Sequence, residues 1–145
     1  MALAAKLRRA PVRLATGAYI LNSGVNKLSA DEGTAAWLHS TAANALPLVK
    51  RVPPTVFIKV LAASEIAVGA ALLVPVVPAG LAGIALIGFG GALTAMYVRT
   101  PAWHDRYLRP TAEGTGYAKD AWLLGAGVGL VVDAALTESP ITATE

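Results

Sequence analysis

Glu65 is the residue of this sequence best placed to do chemistry. It lies about ten residues into an apolar run, so at ~1.5 Å per residue it sits about 15 Å from the end of a helix. An ionisable group at that depth in a bilayer costs roughly 2.5–3.5 kcal/mol on insertion scales, and is normally paired, protonated or turned toward water. Lys27, Lys59 and Lys119 are the candidate counter-charges, because a lysine stem can reach along apolar surface. Asp120 adjoins Lys119, and Asn22 and Asn26 are four residues apart on one helical face. Two roles suit this set. Glu65 could handle protons or orient a ligand in a polar vestibule, or it could hydrogen-bond Asn22 or Asn26 and fix helix register.

Other chemistry finds little support. The chain has no cysteine, which removes disulfides, thiolate nucleophiles and iron–sulfur ligation. Its two histidines, His39 and His104, fall between apolar runs, so a bis-histidine haem inside a bundle is excluded and no metal-ligand spacing appears. No Ser-His-Asp set, phosphate loop or dinucleotide fingerprint is present. No catalytic residue is assigned, and the chain reads as a non-catalytic subunit rather than an enzyme by itself. Any electron transfer would need a partner.

The elements that must position these groups are apolar. Only 14% of the 145 residues are charged, against roughly 25% in average soluble domains, and the mean hydropathy is +0.57. Four runs are long enough to span a bilayer, at 12–28, 55–77, 79–98 and 117–136. The expectation is a single all-α domain, an integral membrane four-helix bundle, with Pro78 turning a tight hairpin between the second and third spans. Lys6, Arg8, Arg9 and Arg13 before the first span resemble the charged end of a signal peptide, but Asn22 and Lys27 fall where a cleavage site needs small uncharged residues. Small residues at helical spacing predict close helix packing: Ala63, Ala67 and Ala71, then Gly91 and Ala95, then Gly125 and Gly129.

Between the first two spans, Ser29-Ala30-Asp31-Glu32 has the spacing of a capping box. It predicts a short amphipathic helix in the interface, ended by Pro47. Threading the spans gathers Lys27, Lys59, Arg99, Lys119 and Asp120 at one face, with Trp37, Trp103, Trp122 and Tyr97 as interfacial anchors. The first-helix rule puts both termini in the cytoplasm, although Lys50, Arg51, Arg99, Arg106 and Arg109 pull the loop side the same way. The net charge of +3 is scattered, with no aromatic-interleaved basic stripe, so nucleic acid is not a partner.

The pattern resembles the DoxX family of small four-helix bacterial membrane proteins. The likeness rests on Gly24-Val25-Asn26-Lys27-Leu28 closing the first span, on Glu65 followed by Gly69 and Leu72-Leu73, and on Lys119 followed by Gly125, Gly127, Gly129 and Asp133. It covers most of the chain from Arg13 to Ala135. The resemblance implies a multi-pass protein of the bacterial cytoplasmic membrane, partnered by other membrane subunits in a quinone-linked or respiratory oxidoreductase, with Lys27, Glu65 and Lys119 as its polar positions. It also implies that a quinone or lipid meets the vestibule, with no cofactor held by the chain itself. The Arg-, Trp- and Tyr-rich connection before the fourth span departs from the family pattern, as does Asp120. The alternatives are a non-catalytic accessory or assembly subunit and a small lipid-handling protein.

Overall fold

The computed structural model describes residues 2–138, and their regular structure is helical apart from one isolated β-bridge, between His104 and Pro110. Helix α1 (Ala2–Leu28) is followed by α2 (Glu32–Ala45), a 3₁₀ turn (Pro47–Arg51), α3 (Pro54–Leu73) and α4 (Ala79–Val98). A second 3₁₀ turn (Pro101–Trp103), the four-residue α5 (Thr115–Ala118) and α6 (Ala121–Glu138) complete the chain. Three helical segments, Pro54–Leu73, Ala79–Val98 and Thr115–Thr137, are long and apolar enough to cross a membrane. Helix α1 is not among them, because Arg13, Asn22, Asn26 and Lys27 dilute its apolar residues.

The element ends follow from local chemistry. Val74 precedes Pro75, which disfavours helical backbone there, so α3 stops at Leu73 instead of running to residue 77. The freed carbonyls are taken by Arg13 of α1. Its guanidinium donates to the carbonyls of Ala71, Leu72, Val74 and Val77 at 2.7–3.0 Å. Helix α1 itself begins about ten residues before the predicted span. Its added turns carry Arg8 and Arg9, both ion-paired with Asp133 of α6. Asp31, not Ser29, caps α2 by accepting from the Thr34 N–H at 2.7 Å. That N–H holds the Asp31 carboxyl below its ordinary range.

Two antiparallel helix pairs make the frame, α1 with α3 and α4 with α6, and contacts between the pairs are sparser. Each pair closes on glycine. A Cβ on Gly69 would stand 2.6 Å from the Leu21 nitrogen, and one on Gly90 would stand 2.6 Å from the Leu124 nitrogen. Both are closer than real Cβ contacts come, so only glycine permits either approach. The predicted small-residue faces are therefore rotated from those that pack. Ala63 and Ala67 are exposed, and a Cβ on Gly125 or Gly129 would meet nothing within 4 Å. Ile20, Leu72, Ala82, Leu86, Leu123 and Leu130 form the core where the pairs meet.

Candidate functional site

A cavity of about 360 Å³ lies between the two pairs at the end where both long connections gather. Helix α2 roofs it with Leu38, Thr41 and Ala42, and α4 contributes Phe89, Leu93 and Met96. The roof is latched by His39, whose Nε2 is 3.0 Å from the Val49 carbonyl and whose ring meets Phe57 edge-on at 5.6 Å.

The polar wall comes from α1 and α3. Gly24 brings the helices together, since a Cβ there would stand 2.9 Å from both the Ala62 carbonyl oxygen and the Glu65 Cβ. Three residues later, Lys27 extends across this close approach, and its Nζ is 2.9 Å from Glu65 Oε2. The same ammonium donates to the Ser23 hydroxyl at 2.7 Å. Glu65 is only 5% exposed and lies about halfway along α3. Its Oε2 feels the ammonium's charge but receives no aligned hydrogen bond. A buried oxygen in that condition can still accept one from a ligand. Ser64, Tyr117 and Asp120 add polar groups to the lining.

The other sequence-selected residues divide. Lys27 and Asp120 join Glu65 at the cavity. Asn22 and Asn26 do not: both are exposed, on the side of α1 turned away from Glu65. Lys59 is exposed, and Lys119 lines a separate groove between α1 and α6. Of the aromatic anchors, Trp37 and Trp122 face outward, at 56% and 67% exposed. Trp103 and Tyr97 are instead buried, because they build the connection between α4 and α5. Trp103 stacks on Tyr117 at 3.7 Å between ring centroids, and the Tyr97 hydroxyl donates to the Leu108 carbonyl at 3.0 Å.

In that connection both His104 nitrogens face carbonyl oxygens, Nδ1 toward Asp105 at 2.8 Å and Nε2 toward Val98 at 3.0 Å. Only the imidazolium can donate to both, which raises its pKa above the ordinary 6.5. Among the described residues no group of three His, Asp or Glu comes together as a metal site would require.

Ser23, Ser64, Phe57 and Phe89 were not selected from the sequence. The serines are small polar residues inside apolar runs, a faint signal, while the phenylalanines have none that separates cavity from core. No protein-family model matches the chain, and neither a curated protein nor a solved structure is significantly similar to it.

Proposed function

We propose that the chain is a DoxX-like, four-span protein of the bacterial cytoplasmic membrane that serves a quinone-linked oxidoreductase by holding the head of a quinone-type ligand beneath α2. Helix α1 is the fourth span. Its two costly charges within the bilayer have partners, since Arg13 is spent on four carbonyls and Lys27 on Glu65 and Ser23.

The observation that carries the reading is the buried Glu65 Oε2 with unfilled accepting capacity, beside an ammonium whose longest contact, 3.4 Å to the Ser23 carbonyl, is the one a ligand would replace. A quinone carbonyl can accept from Lys27, and a hydroquinone hydroxyl can donate to Glu65, so one pair serves both redox forms. The volume is in the range of small-molecule sites, roughly 300–1,000 Å³, and an apolar wall with a few polar groups is their usual make-up. Phe57 and Phe89 offer ring faces. The lining sets Lys27 beside Glu65 and Asp120, so a neutral head finds both a donor and acceptors there. On this reading electrons reach the bound quinone from a partner subunit.

A second reading, an accessory or assembly subunit without a ligand, is favoured by the outer face of α4. There Leu81, Ile84 and Gly88 are exposed in a helix without a charge.

The test is purification in mild detergent followed by mass spectrometry of everything retained. Retained quinone with oxidoreductase subunits, and loss of the quinone alone in Glu65→Gln, is the expected result. Oxidoreductase subunits without quinone would favour the accessory reading. Retained phospholipid in place of quinone would make the cavity a lipid site.

A further inference from the structure

We infer that the groove between α1 and α6 is a lateral portal, through which the apolar tail of the cavity's ligand passes into the bilayer. The inference rests on the ligand reading above and adds the route and the tail.

The groove encloses about 660 Å³ and is lined by Pro11, Val12, Ala15 and Thr16 of α1 against Trp122 and Ala126 of α6. Two further residues, Tyr19 and Leu123, line both the groove and the cavity, so these side chains stand between the two spaces. Tyr19 is half exposed and Leu123 is buried, which leaves Tyr19 as the side chain free to swing.

The gap is built into the frame. Helices α1 and α6 touch sparsely, whereas each packs along its length against its own pair partner. Beyond the groove, Arg8 and Arg9 clamp α1 to Asp133 and fix how far the helices stand apart. From Pro11 to Tyr19 the α1 wall is about 12 Å long at the helical rise, enough for part of an alkyl or isoprenoid chain.

The polar and apolar requirements separate along this path. The cavity end presents Lys27, Glu65 and Asp120, while the polar groups of the groove are Thr16, whose hydroxyl is spent on the Val12 carbonyl at 2.7 Å, Tyr19 at the junction with the cavity, and Lys119 next to Asp120 in the chain. A head needing hydrogen bonds sits inward and a tail needing none lies outward. That is the polarity of a tailed quinone entering sideways from lipid.

The experiment uses the full chain in lipid nanodiscs with two probes, a decyl-benzoquinone carrying a diazirine at the tail end and the same benzoquinone without a tail. The expected photolabel falls on the α1 peptide around Ala15 and the α6 peptide around Trp122, and is displaced by excess tail-less head. Ala15→Trp fills the groove at an exposed position and should weaken the tailed probe at least about tenfold, with the tail-less head unchanged. Label on the outer faces of α3 and α4, or groove label that the tail-less head does not displace, would overturn the portal. The second pattern would mean an ordinary lipid chain. Equal binding of the tailed probe by wild type and Ala15→Trp would also overturn it while leaving the cavity reading intact. Failure of the wild type to bind the tail-less head would remove the cavity reading, and the portal with it.

Discussion

The two helix pairs are closed in the same way and equipped differently. In both, glycines bring backbones to a distance that no side chain would allow, at Gly24 and Gly69 between α1 and α3, and at Gly83, Gly90 and Gly127 between α4 and α6. Across the α1/α3 contact, however, run the Lys27–Glu65 pair and the four Arg13 hydrogen bonds. Among the described residues no side-chain hydrogen bond or ion pair joins α4 to α6. Small-residue packing is therefore enough to hold two helices of this protein together, and the polar contacts of the other pair ask for a further explanation. For Arg13 it is the proline-ended terminus of α3. For Lys27 and Glu65 the proposed answer is a ligand.

The comparison breaks hardest at the ion pair. Removing one member strands a buried charge, so Glu65→Leu or Lys27→Met alone should cost about 3–5 kcal/mol in equilibrium unfolding in detergent. The double variant Lys27→Met/Glu65→Leu should recover most of that loss, because an apolar pair of similar volume is often neutral or better. A double variant as unstable as the singles would mean that the pair is structural cement.

Arg13→Met comes next. It abandons several carbonyls at the end of α3 and should cost about 1.5–3 kcal/mol, the range for charge-assisted hydrogen bonds. Hydrogen exchange should locate the loss at residues 71–78. Third, Gly69→Ala and Gly90→Ala should each cost about 1–3 kcal/mol by overpacking, equally in the two pairs. Gly88→Ala, whose Cβ meets nothing within 4 Å, should gain roughly 0.5–1 kcal/mol from helix propensity. Unequal glycine costs would show that the pairs are not closed by the same device.

The smallest effect is a pH dependence confined to the connection after α4. Because folding raises the His104 pKa, its contribution is complete below about 6.5 and is lost as pH rises through the higher folded value. Hydrogen exchange at residues 99–111 should therefore quicken as pH climbs above 6.5, beyond its intrinsic rate change. His104→Phe should remove that pH dependence.

Much of the frame was legible in the sequence, and the reasons it stopped being legible are physical. The third span is found at the residues predicted for it, because α4 is uncharged and bounded by Pro78 and Arg99. The fourth likewise falls inside the helical segment Thr115–Thr137, in which turns at Lys119 and Asp120 mark the passage from α5 to α6. Helix register was less readable. Helices that are apolar and small on every face offer no periodicity to choose among them, so Gly125 and Gly129 looked as suitable as Gly127. On α1 an error of one residue, Asn22 for Ser23, turns the face by about 100°.

The Lys27–Glu65 pairing could be listed from the sequence among three lysines, but not chosen, because Gly24 sets which one reaches. Arg13 and the α1/α6 groove were not readable at all. One depends on carbonyls some sixty residues away, and the other on how far two helices stand apart.

If the Lys27–Glu65 pair holds a ligand head, the folded double variant must lose that ligand. Binding of the tail-less benzoquinone should be measured by equilibrium titration for wild type and for Lys27→Met/Glu65→Leu, with unfolding recorded on the same samples. Stability should stay comparable and binding should weaken at least about tenfold, the loss of one good polar contact. Unchanged binding by a folded double variant would contradict the ligand role and leave the pair a structural feature of the α1/α3 contact.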